Sequence, residues 1–366
     1  MSEAQLDGQR RREQVATALA RLPRAELAVT PTPLQTAPRL SAELGGPPIY
    51  VKRDDLTGLA FGGNKVRMLE YVLGKAIDQG CDTVIGGSAS QSNYSRVLAG
   101  ACAKLGLDCH LVLRRMEGRG DDSPQGSLLL DHLYGASVNL VEDDRELQVD
   151  VLNQLGDRLE EDGRAVFRAL QASEADKSMH ALPYVEAAFE IIDQLQDMNV
   201  DAGRIYICSL DTTHAGLLLG LRAAGSDIEL VGVSPYEDGT WSDRTAQEEV
   251  ARLANDAAEI LGLEMTISAD EVRTTFEFAG RYGHVTDAGV AATHLFARTE
   301  GLIVDPIYTM KAGAAMIADI RNDEVPDRPV VFWHTGGTPA LFAYPTELGV
   351  MTPPASPGLL GSAETE

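Results

Sequence analysis

"CDTVIGGSASQSNYSRVLAGACAKLGLDCHLVLRR", residues Cys81–Arg115, holds two short apolar runs separated by a polar turn and a helix-length stretch. Cys81–Gly87 reads as a strand, Asn93–Leu105 as a helix and Asp108–Arg115 as a second strand. Strands joined through a helix pair in parallel, because the connection is long enough for a crossover. The alternation extends on both sides. Upstream, "PIYVKRDD" (48–55) is a strand ending in charge and Lys65–Gln79 is a helix. Downstream, "SLLLDHLYG" (127–135) is helical, "ASVNLVE" (136–142) a strand, Glu146–Asp162 helical and "RAVFRAL" (164–170) a strand. A second series starts near Tyr184: helix "YVEAAFEIIDQLQ", strand "RIYICSL", helix "THAGLLLGLRAAG" and strand "ELVGVSP". Helices at Thr245–Leu261, Asp287–Glu300 and through "YTMKAGAAMIADI" follow, and strand "PVVFWHT" enters "GGTPALF".

The expected architecture is α/β with two lobes, each a mostly parallel sheet flanked by helices, and a cleft between them as the default site. Residues 26–61 and 184–350 are expected to form the larger lobe and 62–183 the smaller. Residues 1–25 read as a partly ordered leader with amphipathic character from Gln14 to Leu22, and 351–366, rich in proline and small residues, as a flexible tail.

With 55 acidic against 31 basic residues and a net charge of −24, the chain has no basic surplus to neutralise phosphates, which argues against nucleic acid or an anionic membrane as partner. No apolar run approaches the ~18 residues of a membrane span, and the N-terminus lacks the apolar core of a signal peptide. Cys81, Cys102, Cys109 and Cys208 lie in apolar surroundings without a CxxC pair, so they read as buried thiols in a reducing cytoplasm, with no metal site.

Chemistry concentrates in a few turns. "AFGGNKVRMLEY" (60–71) places Lys65 directly at a helix start, where the positive end of the helix dipole should lower its pKa. A neutral amine is what attacks an aldehyde, but a solvated lysine fits the same local pattern. "GGSASQSNYSR" puts Ser90, Gln91, Ser92 and Asn93 between a strand end and a helix start, suited to a carboxylate or to a simple cap. "SLDTTHAG" and "HTGG" repeat the arrangement with Thr212, Thr213 and Thr335. Arg53, Asp54 and Asp55 are expected to fix the lysine loop by ion pairs. His284 and His334 read either as substrate-facing or as buried, hydrogen-bonded residues.

Taken in order and spacing, "KRDDLTGLAFGGNKVRMLEY", "GCDTVIGGSASQSNYSR", "THAGLLLGL", "GLIVDPIYTMKA" and "HTGGTPALF" resemble the D-cysteine desulfhydrase and 1-aminocyclopropane-1-carboxylate deaminase family of fold-type II pyridoxal-phosphate enzymes, relatives of tryptophan synthase β. The resemblance runs from about Leu27 to Val350. It implies pyridoxal 5'-phosphate in the cleft, held by Lys65 as a Schiff base, with Lys65 also the base for the substrate Cα proton. It implies that Gln91, Ser92 and Asn93 bind the substrate carboxylate, with Asn93 also near the cofactor. Thr212, Thr213, His214, Ala215 and Gly216 would hold the phosphate, Thr335 the ring nitrogen, and Tyr308 and Tyr282 would flank the reacting carbon.

The deaminase branch carries a glutamate where this chain has Thr309, and Thr335 fits the arrangement with a hydroxyl at the ring nitrogen. This favours α,β-elimination from a small β-substituted amino acid, giving pyruvate, ammonia and a leaving group such as sulfide or sulfite. Ring-opening deamination and a non-catalytic homologue that binds the cofactor or an amino acid are the alternatives. The resemblance also implies a homodimer. Two segments depart from the family pattern. "ASEADKSMHALPYVEA" stands where a glycine-rich loop is usual, and "SLDT" precedes "THAG" in place of small residues. Asp211 would repel a phosphate unless it turns away or pairs with a cation, for which Lys177 is one candidate.

Overall fold

A computed structural model describes residues 3–116, 123–169, 174–237 and 244–349. The expected tail lies outside these residues. Among the described residues, ten strands form two sheets. In the smaller sheet, β3 (Thr83–Gly86), β4 (Asp108–Arg114), β5 (Ser137–Val141) and β6 (Val166–Arg168) lie in the order β5-β4-β3-β6, all parallel. The larger sheet joins β1 (Leu34–Thr36) and β2 (Ile49–Lys52) to β7 (Arg204–Ile207), β8 (Glu229–Val233), β9 (Arg273–Thr275) and β10 (Val330–Trp333). Its order is β1-β2-β10-β7-β8-β9, parallel throughout except for the antiparallel edge strand β1. We propose to divide the lobes at 61 and 183, because all four strands of the smaller sheet lie between these points.

Twelve α-helices accompany the strands among the described residues. They are α1 (Glu3–Leu19), α2 (Pro38–Leu44), α3 (Lys65–Asp78), α4 (Asn93–Leu105), α5 (Gly126–Leu133), α6 (Arg145–Glu161), α7 (Glu174–Met179), α8 (Leu182–Asp197), α9 (Thr212–Ala223), α10 (Ala246–Leu261), α11 (Asp287–Glu300) and α12 (Thr309–Arg321). β2, β3, β7, β8 and β10 are almost wholly buried, as expected for strands covered on both faces. No helix among the described residues is long and apolar enough to cross a membrane.

Some elements differ from expectation. The leader is helical from Glu3, and Val15 and Leu19 are buried in the main core, with Gln14 bonded to the Gly262 carbonyl beyond α10. The glycine-poor segment before α8 contains a short helix, α7, whose Ser178 donates to Asp256 of α10 at 2.9 Å. Lys177 interacts electrostatically with Glu249, also on α10. Cys102, Cys109 and Cys208 are buried free thiols, whereas Cys81 is only half-buried.

Candidate active site

Sheet order assembles the site. β2, β10, β7 and β8 are consecutive neighbours although far apart in sequence, so the turns after their carboxyl ends lie side by side. Those turns carry Lys65, Thr335, Asp211 and Tyr236 in that order. Ligands favour this edge of a parallel sheet.

Lys65 is the first residue of α3, behind a backbone that only glycine permits. Gly62 has φ +68°, and a Cβ there would sit 1.9 Å from the Asp55 carbonyl oxygen. Gly63 donates to Asp54 O at 3.0 Å and to Thr57 Oγ1 at 2.8 Å, and Asn64 N donates to Thr335 O at 2.9 Å. Asn64 Nδ2 donates to Thr213 Oγ1 at 3.1 Å, and Tyr184 OH donates to Asn64 O at 3.1 Å. The lysine loop is thereby tied to the "HTGG" turn, to α9 and to α8.

A buried polar network supports the loop from below. Asp54 accepts from Arg67 at 2.9 Å, from Thr32 at 2.8 Å and from Trp333 Nε1 at 3.0 Å. Arg67 also donates to Glu190 at 2.9 and 3.0 Å, and Lys52 Nζ lies 2.5 Å from the same carboxylate. Burial penalises all of these charges, yet Arg67 holds the Asp54 and Glu190 carboxyls below their ordinary range. Arg53 pairs instead with Asp55 at 2.7 Å.

Among the described residues, Lys65 Nζ makes no hydrogen bond or salt bridge. The lowered pKa expected from its helix-start position is not found. Burial does push the ammonium down, but Asp211, then Tyr184 and Tyr282, outweigh it and leave the pKa above the ordinary lysine value. A nearby full carboxylate beats the partial charge of a helix end.

Ser92 caps α4, accepting from Tyr94 N at 3.2 Å and Ser95 N at 3.3 Å. Asn93 opens the helix beside Gly337, where a Cβ would come within 2.8 Å of its Nδ2. The Gln91 amide donates to Gln125 O and accepts from Ser127 N, bracing the start of α5. Tyr282 and Tyr308 share a 2.6 Å hydrogen bond between hydroxyls. Burial raises Tyr282 to about 12 and Tyr308 well above the ordinary tyrosine value, so both stay protonated at neutral pH. The Tyr236 ring lies 6.4 Å from that of Tyr282, a third member that the sequence reading missed although it directly follows the strand run "ELVGVSP".

Thr309 and Thr335 differ sharply. The Thr309 hydroxyl donates to Asp305 at 2.7 Å, and Asp305 also receives the Ile307, Tyr308 and Thr309 amides. Asp305 thus fixes Tyr308. The Thr335 hydroxyl enters no hydrogen bond among the described residues. His334 shapes the same turn, bonding Ile303 O through Nε2 at 2.8 Å and accepting Gly336 N at Nδ1, so it is structural. His284 is exposed, and its ring makes no hydrogen bond among the described residues.

At α9, the cap is Asp211, whose Oδ1 accepts from Thr213 N at 3.2 Å and Ser209 Oγ at 2.7 Å. Ala215 N bonds Asp211 O at 3.0 Å, and Thr212 is buried in the same first turn. His214 is buried against Gly232, and burial pushes its pKa down to about 4, leaving it neutral. Gly216 lets α9 approach Ala181, whose carbonyl oxygen would lie 2.0 Å from an added Cβ.

Residues 25–336 match the family model described as pyridoxal-phosphate dependent enzyme. The D-cysteine desulfhydrase of Salmonella typhi is 39% identical over 335 residues, covering 89% of this chain and 97% of the relative, and that of Salmonella newport matches to the same extent. A solved structure described as an ACC deaminase homologue aligns with TM-score 0.79 and 34% identity over 92% of this chain and 98% of its own. O-ureido-L-serine synthase, at TM-score 0.60 and 18% identity over 90% of this chain and 94% of its own, shares the fold.

The donor set fits the cofactor: among the described residues, a primary amine without a hydrogen bond and a threonine hydroxyl without one lie on the edge of the larger sheet, the starts of α9 from that sheet and of α4 from the smaller sheet adjoin the lysine loop, and Asp211 is discordant. The chain belongs to the pyridoxal-phosphate dependent enzyme family and is a lyase related to the D-cysteine desulfhydrases.

Proposed function

We propose that the chain catalyses α,β-elimination on a small β-substituted amino acid, in the manner of a D-cysteine desulfhydrase, releasing pyruvate, ammonia and the β substituent. The observation that carries this is the placement of Lys65 at the start of α3, without a hydrogen bond among the described residues and within electrostatic reach of Tyr282, which is bonded to Tyr308. When bound, pyridoxal phosphate supplies the electron sink that acidifies the substrate Cα–H bond. Lys65 would hold the cofactor and then carry the Cα proton on Nζ. Ser92, Asn93 and the amino end of α4 would bind the substrate carboxylate. Tyr308, oriented by Asp305 and bonded to Tyr282, would present a hydroxyl that can protonate the departing group. Thr335 would partner the ring nitrogen, and the first turn of α9, Thr212 to Gly216, would face the phosphate.

The engaged hydroxyl of Thr309 weighs against ring-opening deamination, because no carboxylate stands at that position. The enzyme is further proposed to be a cytoplasmic homodimer, in keeping with its free thiols and the family resemblance. A panel of D-cysteine, L-cysteine, β-chloroalanine and aminocyclopropane carboxylate, scored for pyruvate, 2-oxobutanoate and ammonia, tests the proposal. Pyruvate from β-substituted alanines is expected. Formation of 2-oxobutanoate alone reverses the assignment, and no turnover of any member favours a binding homologue.

A further inference from the structure

Asp211 is a half-buried carboxylate that acts on Lys65 and caps the helix start assigned to the cofactor phosphate. Its side chain accepts the Thr213 amide at 3.2 Å, its carbonyl accepts the Ala215 amide at 3.0 Å, and the Thr213 hydroxyl is already a partner of Asn64 at 3.1 Å. Of the first-turn amides of α9, that of Thr213 is therefore engaged by the Asp211 side chain and that of Ala215 makes the first helical bond, so the donors that would attract an anion are partly engaged. Its charge also opposes the partial positive charge of the helix end. Lys65 holds Asp211 in its ionised form, against the cost of burial. Lys177, one candidate for a compensating charge, acts electrostatically on Glu249 of α10.

We infer that Asp211 is an internal rival of the cofactor phosphate, so that this chain holds pyridoxal phosphate weakly through its phosphate and depends on Lys65 and the ring contacts for retention. The inference rests on Lys65 being the cofactor lysine. Two like charges at one helix start repel, and either the carboxylate or the phosphate must give up amide donors when both are present. Asp211 touches none of the groups proposed to act on the substrate carboxylate, and its effect is confined to cofactor affinity and to the charge of Lys65.

The test compares pyridoxal phosphate with pyridoxal, which lacks the phosphate. Cofactor-stripped wild type, Asp211→Asn and Asp211→Gly are titrated with each, following the visible absorbance of bound cofactor, and borohydride reduction with peptide mass analysis locates the attachment. Asparagine keeps a helix cap without the charge, so loss of folding does not confuse the result. Asp211→Asn is expected to tighten pyridoxal phosphate by about tenfold or more while changing pyridoxal by about twofold at most. Equal tightening of both aldehydes overturns the inference, because Asp211 would then act only through the charge of Lys65. No change for either overturns it as well. If borohydride fixes no cofactor to Lys65 in any variant, the assignment of the site itself fails, a result distinct from the other two.

Discussion

Two helix starts adjoin the lysine loop, α4 through Arg96 bonded to Gly62 O and α9 through Thr213 bonded to Asn64, and they are capped by opposite chemistry. α4 begins behind Ser92, a neutral hydroxyl that satisfies two amides and leaves the positive helix end available to an anion. α9 begins behind Asp211, whose carboxylate satisfies an amide but cancels that potential. Both follow a parallel strand, and both caps are of a residue type that favours helix starts. Equivalent local geometry therefore supports different electrostatics: α4 is prepared for a substrate carboxylate, while α9 meets a phosphate already carrying an anion of its own.

The largest expected effect removes what the two starts share. Lys65→Ala should lower pyruvate formation on the order of 10³- to 10⁴-fold and abolish borohydride trapping. Retained turnover would detach both helix starts from the chemistry.

Next in size is the network beneath the lysine loop. Asp54→Asn should destabilise the chain by about 3–5 kcal/mol, because it leaves Arg67 buried without its partner. The folded pKa values of Asp54 and Glu190 are depressed, so their contribution is fully present above the ordinary carboxylate pKa of about 4 and is lost as pH falls from there towards the folded values. Thermal melting of wild type should accordingly drop in that acid window, and Asp54→Asn should drop less. Parallel acid profiles for the two proteins would contradict the ion-pair account.

Tyr308→Phe should reduce kcat about 10²-fold with KM little changed, if its hydroxyl protonates the leaving group. Tyr282→Phe should be milder, since it acts on Tyr308 through the 2.6 Å bond. A larger loss from Tyr282→Phe would exchange their roles.

Smallest, and most direct for the comparison, are the caps. Ser92→Ala should lower kcat/KM about tenfold and cost about 1 kcal/mol of stability. Asp211→Asn should leave stability within about 0.5 kcal/mol, because asparagine caps as well as aspartate. If both variants changed the Michaelis constant for the amino acid alike, the division between a carboxylate end and a phosphate end would collapse.

The elements nearest the site were legible because their signals are local. α3 begins at Lys65 and α4 spans Asn93–Leu105 as read from periodicity and turn residues. β1 and β9 escaped detection because three residues at a sheet edge carry no pattern, and α2 hid behind Pro38, which occupies a first-turn position and does not break a helix there. Pairing was less legible than position. Asp54 was expected in an ion pair, but its partner Arg67 sits on the next helix and Glu190 far along the chain. Gln91, read with its neighbours as a carboxylate ligand, also braces the start of α5 across 34 to 36 positions of sequence, which no local pattern reports.

The sequence by itself determined which residues begin helices after strands, since caps, glycines and apolar periodicity act over a few residues. It also placed Lys65 behind two glycines, a backbone with almost no alternative. Only the tertiary structure decided that β2, β10, β7 and β8 would be neighbours, and hence that Lys65, Thr335, Asp211 and Tyr236 would meet. It likewise decided the charge state of Lys65, because Coulomb interactions depend on distance through space, and no distance along the chain reports that Asp211 faces an amine 146 positions before it.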